Sequence, residues 1–163
     1  MAHLDVAGFE HYEISNWAKR SAEPDGTDVY GARDHRCAHN LLYWQSGNWF
    51  ALGPSASGHL DGVRWKNLPH LGRYLASGQH GPGAPITDVE QLDADAAVGE
   101  RLMMWLRLRD GVPHRWLQIH LDAERAAVMD DLVTRGLLER TNEAVRLTDA
   151  GIMLADSVVA ELL

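Results

Sequence analysis

A stretch of glycine and proline near the middle of the chain limits how the sequence can fold. It reads Gly78-Gln-His-Gly-Pro-Gly-Ala-Pro85. Glycine and proline interrupt helices and strands, so the stretch predicts a boundary between two parts. Residues 1–80 hold seven of the nine histidines and four of the six tryptophans, whereas residues 81–163 hold eight basic and 15 acidic residues, a net charge of −7. We therefore predict two domains, 1–80 and 81–163.

The composition fits a globular protein. Hydrophobic residues make up 45% of the chain and charged residues 23%, which excludes a disordered chain. One cysteine excludes an intramolecular disulfide framework and a metal site built from cysteine alone. No apolar run is long enough to span a membrane, and the first residues lack the basic and apolar blocks of a signal peptide. These features predict a cytoplasmic protein.

Local patterns in the first half predict strands, loops and one helix. The segment 9–14 is rich in strand formers, and residues 20–36 are polar with Pro24, Gly26 and Gly31, as in a long loop. Residues 49–52 predict a buried strand that leads into small residues. Asp61-Gly62 predicts a two-residue hairpin turn, and residues 69–77 predict a helix that ends before Gly78.

The second half predicts helices and a hairpin. Three helices are expected over 93–109, 113–120 and 122–135, with Asp93 and Asp122 as caps. A hairpin follows over 137–147, and Thr148 caps a last helix. This order matches a winged-helix domain.

The charge of the second half argues against nucleic-acid binding. A DNA-binding domain needs cations to neutralise phosphates, and this half has a net charge of −7. We predict that it packs against protein and binds no nucleic acid.

The densest group of chemically capable side chains lies between residues 35 and 44. His35, Cys37 and His39 alternate, so an extended segment would point them to one side, and imidazole and thiolate suit zinc, copper or iron. Three ligands within five residues are crowded, and no second pair at zinc-finger spacing exists. The alternative is that His39 and Asn40 bond to loop backbone while Tyr43 and Trp44 pack.

Haem is also chemically compatible with this segment. One axial imidazole holds haem iron, and flat apolar side chains cover the macrocycle. The aromatic side chains available for that are Tyr43, Trp44, Trp49 and Trp65.

Several motifs together resemble a known family. They are Gly8-Phe-Glu-His-Tyr-Glu-Ile-Ser-Asn-Trp-Ala18, Cys37-Ala-His-Asn-Leu-Leu-Tyr-Trp44, the small-residue loop after Leu52-Gly53, and Leu102-Met-Met-Trp-Leu-Arg-Leu-Arg109. They resemble the oxygen-independent coproporphyrinogen III oxidase-like family of radical SAM proteins. The block His-Asn-x-x-Tyr-Trp resembles the signature of its haem chaperone (HemW) branch.

The resemblance implies an α+β fold. It implies the last strand of a radical SAM barrel with a small sheet and hairpin extension, followed by a winged-helix-like C-terminal domain. Family members carry an N-terminal barrel with a C-x-x-x-C-x-x-C motif that holds a [4Fe-4S] cluster, whereas this chain has only Cys37. The chain therefore resembles a C-terminal fragment that lacks the cluster, and redox activity belongs to the intact relative.

The resemblance also assigns site residues. The haem-binding histidine falls on His39, which would ligate haem iron, with Asn40, Tyr43 and Trp44 orienting or covering the haem. A backbone contact to S-adenosylmethionine falls on Ala56 or Ser57. No catalytic residue is assigned.

The resemblance favours one function over two alternatives. The leading hypothesis is the C-terminal region of a haem chaperone that binds haem and delivers it to recipient apoproteins, touching membranes only through those recipients. The alternatives are the C-terminal region of a coproporphyrinogen III oxidase, and a non-catalytic interaction module. A barrel remnant without its N-terminal partner exposes strand edges, so self-association is expected.

Overall fold

A computed structural model describes residues 2–20, 35–77 and 85–163 of the chain. The described residues form a mixed α and β structure in which every strand pairing is antiparallel. The helices are α1 (Ala2–Val6), α2 (Ala38–Trp44), α3 (Leu71–Ser77), α4 (Ala94–Leu106), α5 (His114–His120), α6 (Ala123–Thr134), α7 (Asp149–Ile152) and α8 (Ala155–Ala160). The strands are β1 (Phe9–His11), β2 (Trp17–Lys19), β3 (Ser57–Leu60), β4 (Val63–Asn67), β5 (Ile86–Gln91), β6 (Val112–Pro113), β7 (Leu138–Arg140) and β8 (Ala144–Leu147).

The chain divides into two compact units. One combines Met1–Gln45 with Val98–Leu163, and the other is Ser46–Ala97. This division does not follow the order of the chain, because the first unit joins residues from both ends. The boundary predicted between residues 80 and 81 lies outside the described residues, so the two predicted domains stay a prediction.

The core of the first unit lies in its C-terminal part. The three-stranded sheet has the order β6-β8-β7, and α4, α5 and α6 precede its hairpin. Leu102 and Leu106 lie one helical turn apart on α4, and both are fully buried. The other buried apolar side chains of this core are Val112, Leu117, Met129, Leu132, Leu138, Val145, Leu147, Ile152, Ala155, Val158 and Leu162.

The ends of these helices follow the predicted signals. The Asp93 side chain accepts a bond from the N–H of Ala96, and the Asp122 side chain accepts one from Arg125. Thr148 caps α7 in the same way. The predicted order of three helices, a hairpin and a terminal helical segment is present, while its assignment as a winged helix stays a prediction.

The N-terminal residues of the first unit form a small hairpin. β1 pairs with β2, and the turn between them places Glu13 in an isolated bridge opposite Leu108. The N–H of Ile14 donates to the carbonyl of Arg107, and the N–H of Arg109 donates to the carbonyl of Tyr12. The segment after α4 therefore lies beside the turn of this two-stranded hairpin and bonds to it through the backbone.

The second unit is built on the sheet β3-β4-β5. The predicted Asp61-Gly62 turn joins β3 to β4, with φ of 49° at Asp61 and 83° at Gly62, as a right-twisted hairpin requires. Gly58 lies opposite Trp65 in the register, and a Cβ at that position would lie 2.3 Å from the indole. The glycine therefore makes room for the tryptophan ring.

The structure corrects two local predictions and adds one strand. Residues 49–52 form no strand beyond a single bridge between Trp49 and His59, and Phe50 and Leu52 are 75% and 87% exposed rather than buried. The added strand is β5. Its sequence, Ile-Thr-Asp-Val-Glu-Gln, does not alternate regularly between apolar and polar residues, so the pattern does not indicate a strand. The C-terminal helix is two helices, since the N–H of Leu154 bonds to Gly151 three residues back, which tightens the turn between them. Most of the predicted loop over 20–36 lies outside the described residues.

Candidate functional site

The His-Asn-x-x-Tyr-Trp block lies on the helix α2. The segment is not the extended one that would point His35, Cys37 and His39 to one side, because the helix begins directly after Cys37. Residues four apart lie on the same side of a helix. The four side chains of the motif therefore form two pairs, His39 with Tyr43 and Asn40 with Trp44. The two pairs lie on neighbouring sides of α2.

The pair of His39 and Tyr43 is the outer one. The imidazole of His39 is exposed and meets the Tyr43 ring edge to face, with centroids 4.8 Å apart and planes at 85°. Neither ring nitrogen of His39 has a hydrogen-bond partner within the part of the chain that the structure describes. A nitrogen lone pair on this ring is therefore available to a metal ion, while the tyrosine edge restricts the ring's rotation.

The pair of Asn40 and Trp44 faces the protein. The Asn40 side-chain amide donates to the hydroxyl of Tyr12 over 3.4 Å, and Tyr12 is buried. The Arg107 guanidinium carbon lies 4.6 Å from the centre of the Trp44 ring. These contacts hold α2 against the hairpin and the segment after α4, so the backbone that carries His39 is fixed from a neighbouring side of the helix.

Two donors in this inner contact have no acceptor. The indole Nε1 of Trp44 and the Nε of Arg107 are buried, and neither meets a partner among residues 2–20, 35–77 and 85–163. Unpaired buried donors are costly. The Trp44 side chain therefore packs against a cation and gains no hydrogen bond from its indole N–H.

The other two members of the predicted metal cluster do not join His39. The side chain of Cys37 is exposed at the position before the helix and caps no backbone group, and His35 is exposed two residues earlier. Within the described ranges, no group of three or more histidine, cysteine or carboxylate side chains could hold a metal ion. The predicted alternation fails because the segment turns helical after Cys37.

The small-residue loop of the second unit is held by its own hydrogen bonds. The Asn67 side-chain amide donates to the carbonyls of Ala51 and Gly53, over 3.1 and 2.9 Å. Ala56 donates its N–H to Gly53, and its carbonyl accepts from the N–H of Asn67. The carbonyl of Ser57 accepts from the indole of Trp49 over 2.9 Å. The contact predicted for Ala56 or Ser57 with S-adenosylmethionine stays a prediction.

The sequence pattern does not indicate the roles of two residues in these sites, Arg107 and Asn67. Arg107 contacts Trp44 from a distant part of the chain, and in the sequence it lies in a run that is typical of the end of an amphipathic helix. Asn67 is buried at the end of β4, and a lone asparagine after a strand resembles an ordinary turn residue. The residues next to Arg107 and Asn67 in the sequence do not indicate these roles, because both side chains act through contacts that only the fold creates.

Comparison with known proteins relates the chain to one family. Residues 92–154 match the HemN C-terminal domain. The heme chaperone HemW of Mycobacterium tuberculosis is 39% identical over 163 residues, which is 99% of this chain and 37% of that protein. HemW of Bacillus subtilis is 28% identical over 100% of this chain and 40% of its own length. The predicted relationship to the haem chaperones is confirmed, and the chain spans well under half the length of these relatives.

Two further comparisons extend this result. A mitochondrial protein of Bos taurus, radical S-adenosyl methionine domain-containing protein 1, is 26% identical over 99% of this chain and 36% of its own length. The solved structure of coproporphyrinogen III oxidase (HemN) from Escherichia coli, a radical SAM enzyme, matches 99% of this chain and 38% of its own chain with a TM-score of 0.64 at 15% identity. This similarity establishes a shared fold.

Proposed function

We propose that this chain, a relative of the HemW proteins along nearly its whole length, is the haem-binding C-terminal region of a haem chaperone. The observation that carries the proposal is the exposed imidazole of His39, whose ring nitrogens have no partner among the described residues. A single axial imidazole holds haem iron in many proteins. Haem is here the cargo, which the intact protein would pass to recipient apoproteins.

The residues around His39 have separate roles in this proposal. Tyr43 places a flat ring beside the imidazole and covers one side of the haem. Asn40 and Trp44 act as positioning residues, because their contacts with Tyr12 and Arg107 fix the helix that presents His39. Of these four side chains, those of His39 and Tyr43 would touch the porphyrin.

We propose that the intact protein also contains a radical SAM barrel. We propose that β1 belongs to the last strand of a radical SAM barrel, and that residues 81–163 form a winged-helix-like domain. A [4Fe-4S] cluster and S-adenosylmethionine would belong to that barrel, with Ala56 or Ser57 contacting the latter. In the described part of the chain, no helix has the length and apolar character needed to cross a bilayer.

The HemW relatives favour carriage of haem over porphyrin oxidation. These relatives are heme chaperones, whereas the similarity to coproporphyrinogen III oxidase is one of fold, at 15% identity. The self-association expected from an incomplete barrel stays a prediction.

A haem titration tests the role of His39. The unchanged chain is expected to bind one ferric haem with a shifted Soret band, and His39→Ala is expected to abolish the shift or weaken binding at least tenfold. His3→Ala is the matched control, because His3 is also an exposed helical histidine. Far-ultraviolet circular dichroism establishes that each variant is folded. An unchanged Soret spectrum in His39→Ala would remove this residue from the site, and no saturable binding by the unchanged chain would reject the proposal.

A further inference from the structure

A groove in the first unit lies beside the residue that follows α2. It has a volume of about 610 Å³, which falls in the range of small-molecule sites. Its apolar lining comes from the end of α4, the following turn and α5. The lining side chains used below are Gln45, Trp105, Asp110, Arg115, Trp116 and Ile119.

Flat aromatic surfaces dominate the groove. The rings of Trp105 and Trp116 meet edge to face with centroids 5.3 Å apart, and the His120 ring lies tilted by 32° against Trp116, with centroids 4.8 Å apart. Ile119 is 76% exposed. Two large rings and an exposed branched side chain thus present an apolar surface that suits a flat apolar ligand.

The charge at the edge of the groove is positive. Asp110 forms an ion pair with Arg36 over 2.9 Å, so its carboxylate is already compensated. Arg115 is exposed, and its guanidinium meets no acceptor among the described residues. An unpaired guanidinium beside an apolar surface suits a carboxylate, which it can bind with two parallel hydrogen bonds.

We propose that this groove binds the macrocycle of a tetrapyrrole and that Arg115 binds one of its carboxylates. The inference rests on the proposed function, which supplies a flat, apolar ligand with acidic side chains. Gln45 connects the groove to the helix that carries His39, because it directly follows Trp44 and its carbonyl accepts a bond from Arg101 over 3.1 Å. The binding surface for the porphyrin therefore includes α5 and extends beyond the helix α2.

Metal-free protoporphyrin IX is the probe, because it has no iron for His39 to ligate. Its affinity for the full chain is measured by quenching of tryptophan fluorescence and by porphyrin emission. Arg115→Gln is expected to weaken binding about tenfold, the effect of losing one charge-assisted contact. Ile119→Glu, a change at an exposed position that leaves folding intact, places a carboxylate in the groove and is expected to weaken binding by about tenfold or more.

Two controls isolate the carboxylate contact. Arg73→Gln removes another exposed arginine, on α3, and is expected to leave porphyrin affinity unchanged. The dimethyl ester of protoporphyrin IX lacks free carboxylates, so its affinity is expected to be the same for the unchanged chain and for Arg115→Gln.

The outcomes separate this inference from the proposed function. The proposal that the groove binds porphyrin would be overturned if the unchanged chain, Arg115→Gln and Ile119→Glu bound metal-free porphyrin with equal affinity. That conclusion holds whatever His39→Ala does in the haem titration. Weakened porphyrin binding in the groove variants, together with an unchanged haem spectrum in His39→Ala, would support porphyrin binding in the groove and would reject His39 as the iron ligand.

Discussion

The guanidinium of Arg107 lies over the indole of Trp44, with 4.6 Å between its central carbon and the ring centroid. This contact joins the last residue of α2 to the segment after α4, which is bonded to the turn of the β1–β2 hairpin. A cation over a tryptophan face is attracted by the negative charge of the ring surface. The contact therefore determines how firmly the proposed haem-binding helix is held.

The coupling between these two side chains can be measured directly. A double-mutant cycle of Trp44→Leu and Arg107→Met is expected to give a coupling free energy of about 1 kcal/mol or more, because the contact is partly shielded from water. The measurement is the free energy of unfolding by urea. Arg101→Met is the control, since Arg101 lies over Trp105 instead. Additive effects in the Trp44 and Arg107 cycle would contradict the contact.

Gly151 is expected to tolerate no side chain. A Cβ there would lie 1.9 Å from the carbonyl oxygen of Leu137, which is backbone and cannot move aside. Gly151→Ala is expected to destabilise the fold by about 1–3 kcal/mol or more, measured by chemical denaturation. Gly136→Ala serves for comparison, because Gly136 has a φ of 73° but open space around it. A larger loss for Gly136→Ala would argue against the close approach.

Asn67 is expected to be essential as a donor. Asn67→Asp exchanges two donated bonds for a buried carboxylate that faces the carbonyls of Ala51 and Gly53. Asn67→Ala should cost about 1–3 kcal/mol for the unsatisfied carbonyls, and Asn67→Asp should cost more because a charge is also buried. Thermal unfolding measures both. The same two substitutions at the exposed Asn142 should have little effect on thermal unfolding. Equal effects at the two positions would rule out a stabilising role for the bonds that Asn67 donates.

Acid stability should depend on Asp122. The backbone N–H of Arg125 and then its side chain donate to this carboxylate and lower its pKa below the ordinary value. A lowered folded-state pKa stabilises the fold above the unfolded-state pKa, and the stabilisation is lost as the pH falls through the folded-state value. Asp122→Asn keeps a cap but cannot titrate, so its stability should fall less steeply below about pH 5.

The same experiment applies to a second carboxylate. Hydrogen bonds from Arg135 lower the pKa of Glu161, so Glu161→Gln should also flatten the acid limb of the stability curve. The free energy of unfolding is measured from pH 7 downward. Identical slopes for the parent chain and both variants would contradict this account.

Local signals in the sequence determined most helices and turns. Asp93, Asp122 and Thr148 cap the helices that they were predicted to cap, and Asp61-Gly62 forms the predicted hairpin turn. These signals are readable because a cap or a tight turn depends on a few neighbouring residues. The motif around His39 and the relationship to the haem chaperones were also readable from residue order alone.

Tertiary structure decided which side chains of that motif are free. The sequence places His39, Asn40, Tyr43 and Trp44 together, but only the fold brings Tyr12 and Arg107 against one side of α2 and leaves His39 exposed on another. The partners are distant in sequence, so no local periodicity reports them. The groove beside Trp116 likewise exists only because α4 and α5 pack in one core, where contacts between remote residues determine the surface that remains.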